Sequence, residues 1–172
     1  MRRVYDAAAC AAALLMAGCA SSPSPATAPA APAGTQVAAP DGRAIVRDAA
    51  ALDRLLNNAG VTLQWIGWNQ RGSAFVREEG GVVYLTASQV EVNGPGSLYL
   101  TGRVTEIGSD YFTFAGRIDI VDTPDRGRTC SAERADWRFA VTQNRPYWRL
   151  RDFEWCDGLT DYVDIYFPGT RP

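Results

Sequence analysis

From Phe112 to Ile120 the apolar residues Phe112, Phe114, Gly116, Ile118 and Ile120 fall on every second position, with Thr113, Ala115, Arg117 and Asp119 between them. Only an extended strand puts alternate side chains on one face, so this pattern calls for a sheet with one buried side. The same period recurs along most of the second half of the chain. Val61, Leu63 and Trp65 share a face, and Ala74 to Glu78 and Val82 to Ser88 flank Glu79-Gly80-Gly81 as a hairpin would. After the turn signal Asn93-Gly94-Pro95-Gly96, Leu98, Leu100 and Val104 oppose Tyr99, Thr101 and Arg103. Gly108-Ser109-Asp110, the polar run Asp122 to Arg128 and Asn144-Arg145-Pro146 mark further turns, with Trp137, Phe139 and Val141 on a strand between the last two.

The last two strands are predicted over Tyr147 to Trp155 and Asp161 to Phe167. In the first, Trp148 and Leu150 lie on one face and Phe153 and Trp155 on the other, which implies a bulge or a strand covered on both faces. In the second, Val163, Ile165 and Phe167 alternate with Tyr162, Asp164 and Tyr166. One helix precedes the strands. Asp48 is placed to cap it, Leu52, Leu55, Leu56 and Ala59 recur at helical spacing, and Gly60 stands where it should stop. About eight closely spaced strands after one N-terminal helix predict a mostly β domain, an antiparallel barrel or strongly curved sheet. A helix followed by Trp65-Ile66-Gly67-Trp68 on the first strand is loosely similar to the calycin barrels, a resemblance that implies an interior able to hold an apolar ligand.

The domain occupies residues 43–172, about the length for one core. Ahead of it, Ala20 to Gly42 has five prolines and eight alanines and almost no bulky apolar residue, so it reads as a disordered, extended tether. Residues 1–18 combine Arg2 and Arg3 with a twelve-residue apolar run, Ala7 to Gly18, too short to span a bilayer as a helix. Met16-Ala17-Gly18-Cys19 resembles the lipobox of bacterial lipoproteins. That resemblance implies cleavage before Cys19 and acyl chains on its sulfur and new amino group. Ala20, rather than an aspartate, is similar to lipoproteins passed on to the outer membrane. With Cys10 leaving in the leader and Cys19 lipidated, Cys130 and Cys156 remain, an even pair that predicts one disulfide in an exported domain.

The chain has no histidine and no lysine. Nucleophilic catalysis that depends on either is unavailable, and so are histidine-containing metal sites. No glycine-rich phosphate loop opens a helix. Setting Arg2, Arg3 and Asp6 aside from 17 basic and 19 acidic residues leaves a net charge near -3, which gives no reason to expect nucleic acid. Carboxylates remain: Asp152, Glu154, Asp157, Asp161 and Asp164 lie close together, an arrangement a glycan hydrolase would need but one that pairing with Arg149 and Arg151 also explains. Asp119, Asp122 and Asp125 offer oxygen ligands without the spacing of a calcium loop. No cofactor or metal is expected. Trp68, Tyr99, Tyr162 and Tyr166 fall opposite the apparent core, and with Arg103 and Arg149 they compose a candidate binding patch. The expectation is therefore a noncatalytic, membrane-anchored periplasmic lipoprotein that binds an envelope protein or a cell-wall component. The alternatives are an apolar-ligand carrier and a carboxylate-only hydrolase.

Overall fold

Strands β5 (Ser97–Ile107) and β6 (Tyr111–Val121) pair antiparallel from Ser97 against Val121 to Ile107 against Phe112, the alternation predicted for both. The computed structural model describes residues 41–171; Cys10, Cys19, the leader and the tether as far as residue 40 lie outside them. Preceding β5 are β1 (Ile45–Val46), helix α1 (Ala49–Leu56), β2 (Val61–Leu63), β3 (Ser73–Glu79) and β4 (Val82–Val90). Following β6 are β7 (Thr129–Ala140), β8 (Tyr147–Leu150) and β9 (Val163–Tyr166).

The sheet runs β2-β9-β8-β7-β6-β5-β4-β3 with each of these pairings antiparallel; β3 to β9 form a meander, and β2 joins it beside β9. Its two ends meet at one residue pair, where Val61 N–H donates to the Gly72 carbonyl at 3.1 Å and Gly72 N–H returns a bond at 2.9 Å. The result is a nearly closed antiparallel barrel of eight strands, as predicted. The two-residue β1 adds in parallel to the end of β5. Joining the ends of a sheet, even at one pair, shortens the unpaired edge that an open one would present.

Inward positions are filled by side chains. Phe112, Phe114, Phe139, Trp137 and Trp148 have no exposed surface, and neither do Leu63, Leu85, Leu100, Ile118 and Ile165. Phe112 stacks on Phe139 with centroids 4.8 Å apart and meets the Trp148 ring edge-on at 5.8 Å. Fully burying such a side chain stabilises the fold by about 1.5–3 kcal/mol, so this cluster is the main source of stability. Helix α1 contributes Ala51 and Leu55 to the same core. Asp48 caps it, its Oδ1 accepting from Ala51 N–H at 2.8 Å. The helix stops at Leu56, earlier than predicted. Asn57 caps its end, and Ala59 already donates its N–H to the Tyr166 carbonyl at 2.9 Å, leading the chain into β2.

Four local readings need correction. Strand β2 ends at Leu63, and Trp65 is 37% exposed on the excursion that follows, not on the core face. Strand β7 begins at Thr129, earlier than its alternation suggested, because a bulge interrupts it. Phe114 faces Trp137 while Gly116 faces Arg134, so one extra residue in β7 flips the phase between Cys130-Ala132 and Trp137-Phe139. The phase change after Leu150 is the end of β8, and Phe153 and Trp155 belong to the loop that leads to β9. Asp164, which alternates with Val163 and Ile165 and is therefore expected on the solvent face of its strand, is wholly buried.

Candidate functional site

Tyr147 and Arg149 project outward from β8, opposite the inward Trp148 and Leu150. Asp164 and Tyr166 project outward from β9. The register sets Tyr147 across from Tyr166 and Arg149 across from Asp164. Outward positions of a barrel ordinarily face water, yet Arg149 is 8% exposed and Asp164 not at all. Their cover is aromatic. The Arg149 guanidinium lies 4.0 Å from the Tyr162 ring centroid, 5.1 Å from that of Tyr147 and 5.6 Å from that of Trp68. Its Nε donates to Asp164 Oδ1 at 2.6 Å, one Nη to Oδ2 at 2.7 Å, and that Nη also reaches the Tyr147 hydroxyl at 3.2 Å. Burial works against its charge, but the bidentate carboxylate more than offsets this and holds the guanidinium pKa above its ordinary value.

Of the predicted patch, then, the structure brings together Trp68, Arg149 and Tyr162. It buries Tyr166, whose hydroxyl lies 3.1 Å from Thr62 Oγ1 and whose ring carries the Arg71 guanidinium at 3.8 Å. Tyr166 is thus a packing residue and not part of an exposed face. Tyr99 and Arg103 sit on the outer face of β5, three strands from β8. They line an open groove with Thr101, Arg117 and Arg134, where Gly102 and Gly116 form the floor. Arg117 is held by Asp119 at 2.9 Å and Arg134 by Asp152 at 3.2 Å.

Residues missing from the predicted patch complete the Arg149 wall. Arg145, Arg149 and Arg151 line a pocket of about 370 Å³ with Thr142, Phe153 and Tyr162. The alternation that set Trp148 and Leu150 inward also implies that Tyr147, Arg149 and Arg151 look outward, and this was the available signal. Phe153 had none, since it joins the wall through a loop. That loop is fixed by Asp161 N–H donating to the Phe153 carbonyl at 2.7 Å, by Trp155 packed edge-on against Trp137 at 5.2 Å, and by Cys156. Cys156 sits at disulfide distance from Cys130 of β7, with Cα atoms 5.3 Å apart, the predicted pairing.

The acidic cluster divides. Glu154 is exposed, and Asp152 faces Arg134. Asp161 is wholly buried; its Oδ1 accepts from Trp65 Nε1 at 3.0 Å, while its Oδ2 and that of Asp157 are buried without a hydrogen-bond partner among the described residues. Burial above all, with the neighbouring Asp157 charge adding to it and the Trp65 bond opposing, pushes the Asp161 carboxyl up to about 6. Cys156 Sγ lies within 4.8 Å of both carboxylates, but a sulfur engaged with Cys130 is not the thiolate a metal needs. Of the other predicted oxygen ligands beside Asp119, Asp122 accepts from the Gly127 N–H at 2.6 Å and Asp125 forms an ion pair with Arg128 at 3.6 Å.

Residues 43–167 match the model of the PM1083 family. The chain is also 33% identical over 118 residues to the uncharacterized protein PM1083 of Pasteurella multocida (strain Pm70), an alignment covering 67% of this chain and 74% of that protein. No solved structure matches.

Proposed function

The chain belongs to the PM1083 family, and from that premise we propose that it is a noncatalytic binding module of the cell envelope. It is held at the membrane, most simply the outer membrane facing the periplasm, by acyl chains on Cys19, and binds an envelope protein or cell-wall component through the outer wall of its barrel. One observation carries the binding reading: ordered arginine and aromatic side chains gather on the outside around Arg149, while the inside is filled by Trp137, Trp148 and three phenylalanines. That filling weighs against the apolar-ligand carrier, which needs an interior with room. The hydrolase reading loses support because Asp161 has no exposed surface and Asp152 is engaged by Arg134. The membrane address rests on the lipobox-like Met16-Ala17-Gly18-Cys19.

The test is photo-crosslinking in intact envelopes from an amino acid introduced at position 68, with and without Cys19→Ala. An acylated, membrane-bound chain that yields a discrete adduct supports the reading. Persistent acylation of the Cys19→Ala chain would refute the anchor, and absence of any adduct from position 68 would refute the binding wall.

A further inference from the structure

The pocket between the β7–β8 turn and the loop before β9 is lined by three arginines and, among the described residues, by no acidic one. Its cations are not left loose. Arg145 lies 6.0 Å from the Tyr147 centroid and donates to the Tyr147 hydroxyl at 2.9 Å. Arg149 is ringed by Tyr162, Tyr147 and Trp68, and Arg151 lies 4.5 Å from the Phe153 centroid. Phe153 and Tyr162 in turn meet edge-on at 5.3 Å, so the rings that order two of the guanidiniums brace each other. Asp164 neutralises Arg149. Neither Arg145 nor Arg151 has an ion-pair partner among the described residues.

This arrangement has a chemical meaning. A guanidinium is weakly hydrated, always charged and forked, so it binds tetrahedral oxyanions through paired N–H donors. Much of the cost of using a long cation is the entropy of fixing it, and here the rings have already fixed it. Aromatic faces occupied by arginine are not free to stack on a ligand, which argues against recognition of a neutral sugar ring. Two positive charges without an ion-pair partner among the described residues match one dianion.

We propose that this pocket binds a phosphate monoester, with Arg145 and Arg151 contacting the phosphoryl oxygens and the Arg149–Asp164 pair forming a rigid back wall. The inference rests on reading this wall as the binding face, and not on the envelope address. Thr142 and Gln143 at the rim add polar side chains where the rest of the ligand would leave the pocket. The phosphate can come from a soluble ester or from a lipid headgroup.

Calorimetric titration of the purified full chain distinguishes these. The probes are inorganic phosphate, glucose 6-phosphate and dihexanoyl phosphatidic acid below its micelle concentration, with dihexanoyl phosphatidylcholine as the diester comparison. Saturable binding of at least one monoester or of phosphate is expected, weakened at least tenfold in R145Q/R151Q. The R77Q/R128Q chain, which loses the same charge elsewhere, should bind as the parent does. Preference for phosphatidic acid over the soluble esters identifies the lipid source, and the reverse identifies the soluble one. Thermal unfolding of each variant shows that it is folded. No saturable binding by the parent chain, equal binding by R145Q/R151Q, or equal weakening in R77Q/R128Q would each overturn the proposal. Envelope crosslinks without phosphate binding would remove this inference and leave the proposed function standing. Phosphate binding by a chain found free of the envelope would do the opposite.

Discussion

Arg149 and Asp164 face each other across β8 and β9 and share two hydrogen bonds, of 2.6 and 2.7 Å, on the outer wall of the barrel. Their side chains are 10% and 0% exposed, so this is an ion pair outside the core but out of water. Taking both charges out of water is costly, and the geometry offsets that cost only while both are present.

It follows that Arg149→Met should destabilise the protein by about 3–5 kcal/mol, the range for leaving one buried charge uncompensated. Asp164→Leu should also destabilise, but less, because Arg149 keeps its aromatic neighbours and is nearer the surface. Arg149→Met with Asp164→Leu should be more stable than the sum of the two losses predicts. Urea unfolding of the four proteins measures this coupling, and simple additivity would count against a mutually dependent pair.

Asp161 predicts an unusual pH dependence. Its folded carboxyl titrates at about 6, above the 3.8 of a free aspartate, so between those values the folded chain binds more protons than the unfolded one. Stability from this group therefore falls as pH rises through that window, by up to about 3 kcal/mol at 1.36 kcal/mol per pH unit. In Asp161→Asn the amide oxygen can still accept from Trp65 Nε1, and its NH₂ has the unpartnered Asp157 Oδ2 to donate to. The variant should gain about 1–3 kcal/mol at pH 7.5 and match the parent near pH 4. Equal denaturation midpoints at both pH values would show that the carboxyl carries no such penalty.

The barrel was legible because its signal is local. Period-2 runs such as Phe112 to Ile120 need only the next few residues to declare a buried face, and turn glycines separate them. The outer wall was legible only in part, because whether Arg149 meets water depends on Trp68 and Tyr162, which other segments bring to it. Alternation assigns a residue to a face; it says nothing of what covers that face. Tyr99 and Arg103 met the same criterion as Trp68 and Arg149 yet fall on a different wall, since strand order around a barrel is a nonlocal property. The β7 bulge hid its own strand by moving Cys130 and Trp137 out of phase.

The Cys130–Cys156 pair ties the loop that carries Phe153 to β7. With 26 residues of sequence separation, its removal in C130S/C156S should cost about 3–4 kcal/mol in the chain-entropy account. The loss should be uneven. Amide exchange is expected to rise first over residues 151–162, while the inward strand positions of β5 and β6 keep their protection. Non-reducing peptide mapping should recover the two cysteines as one linked pair, and two free thiols in exported material would contradict the assignment.

Gly102 of β5 and Gly116 of β6 stand opposite each other, and neither has room for a side chain. A Cβ on Gly102 would lie 2.2 Å from the Ala115 carbonyl oxygen and 2.6 Å from Gly116 Cα; one on Gly116 would lie 2.3 Å from the Thr101 carbonyl oxygen. These are backbone atoms fixed by the ladder, so no rotamer change relieves the overlap. Both positions also lie against the Phe114 ring, which has no exposed surface, and the Gly116 carbonyl accepts from Trp137 Nε1 at 2.9 Å. The paired glycines thus let two strands and a core ring close up at this point of the barrel wall. Gly102→Ala and Gly116→Ala should each destabilise by about 3 kcal/mol or more, at the upper end of overpacking costs. The adjacent Thr101→Ala, which only shortens an outward side chain, should change stability by about 0.5 kcal/mol or less. Thermal unfolding of the three variants is the measurement, and a Gly102→Ala protein as stable as Thr101→Ala would mean that the strands separate easily at this point.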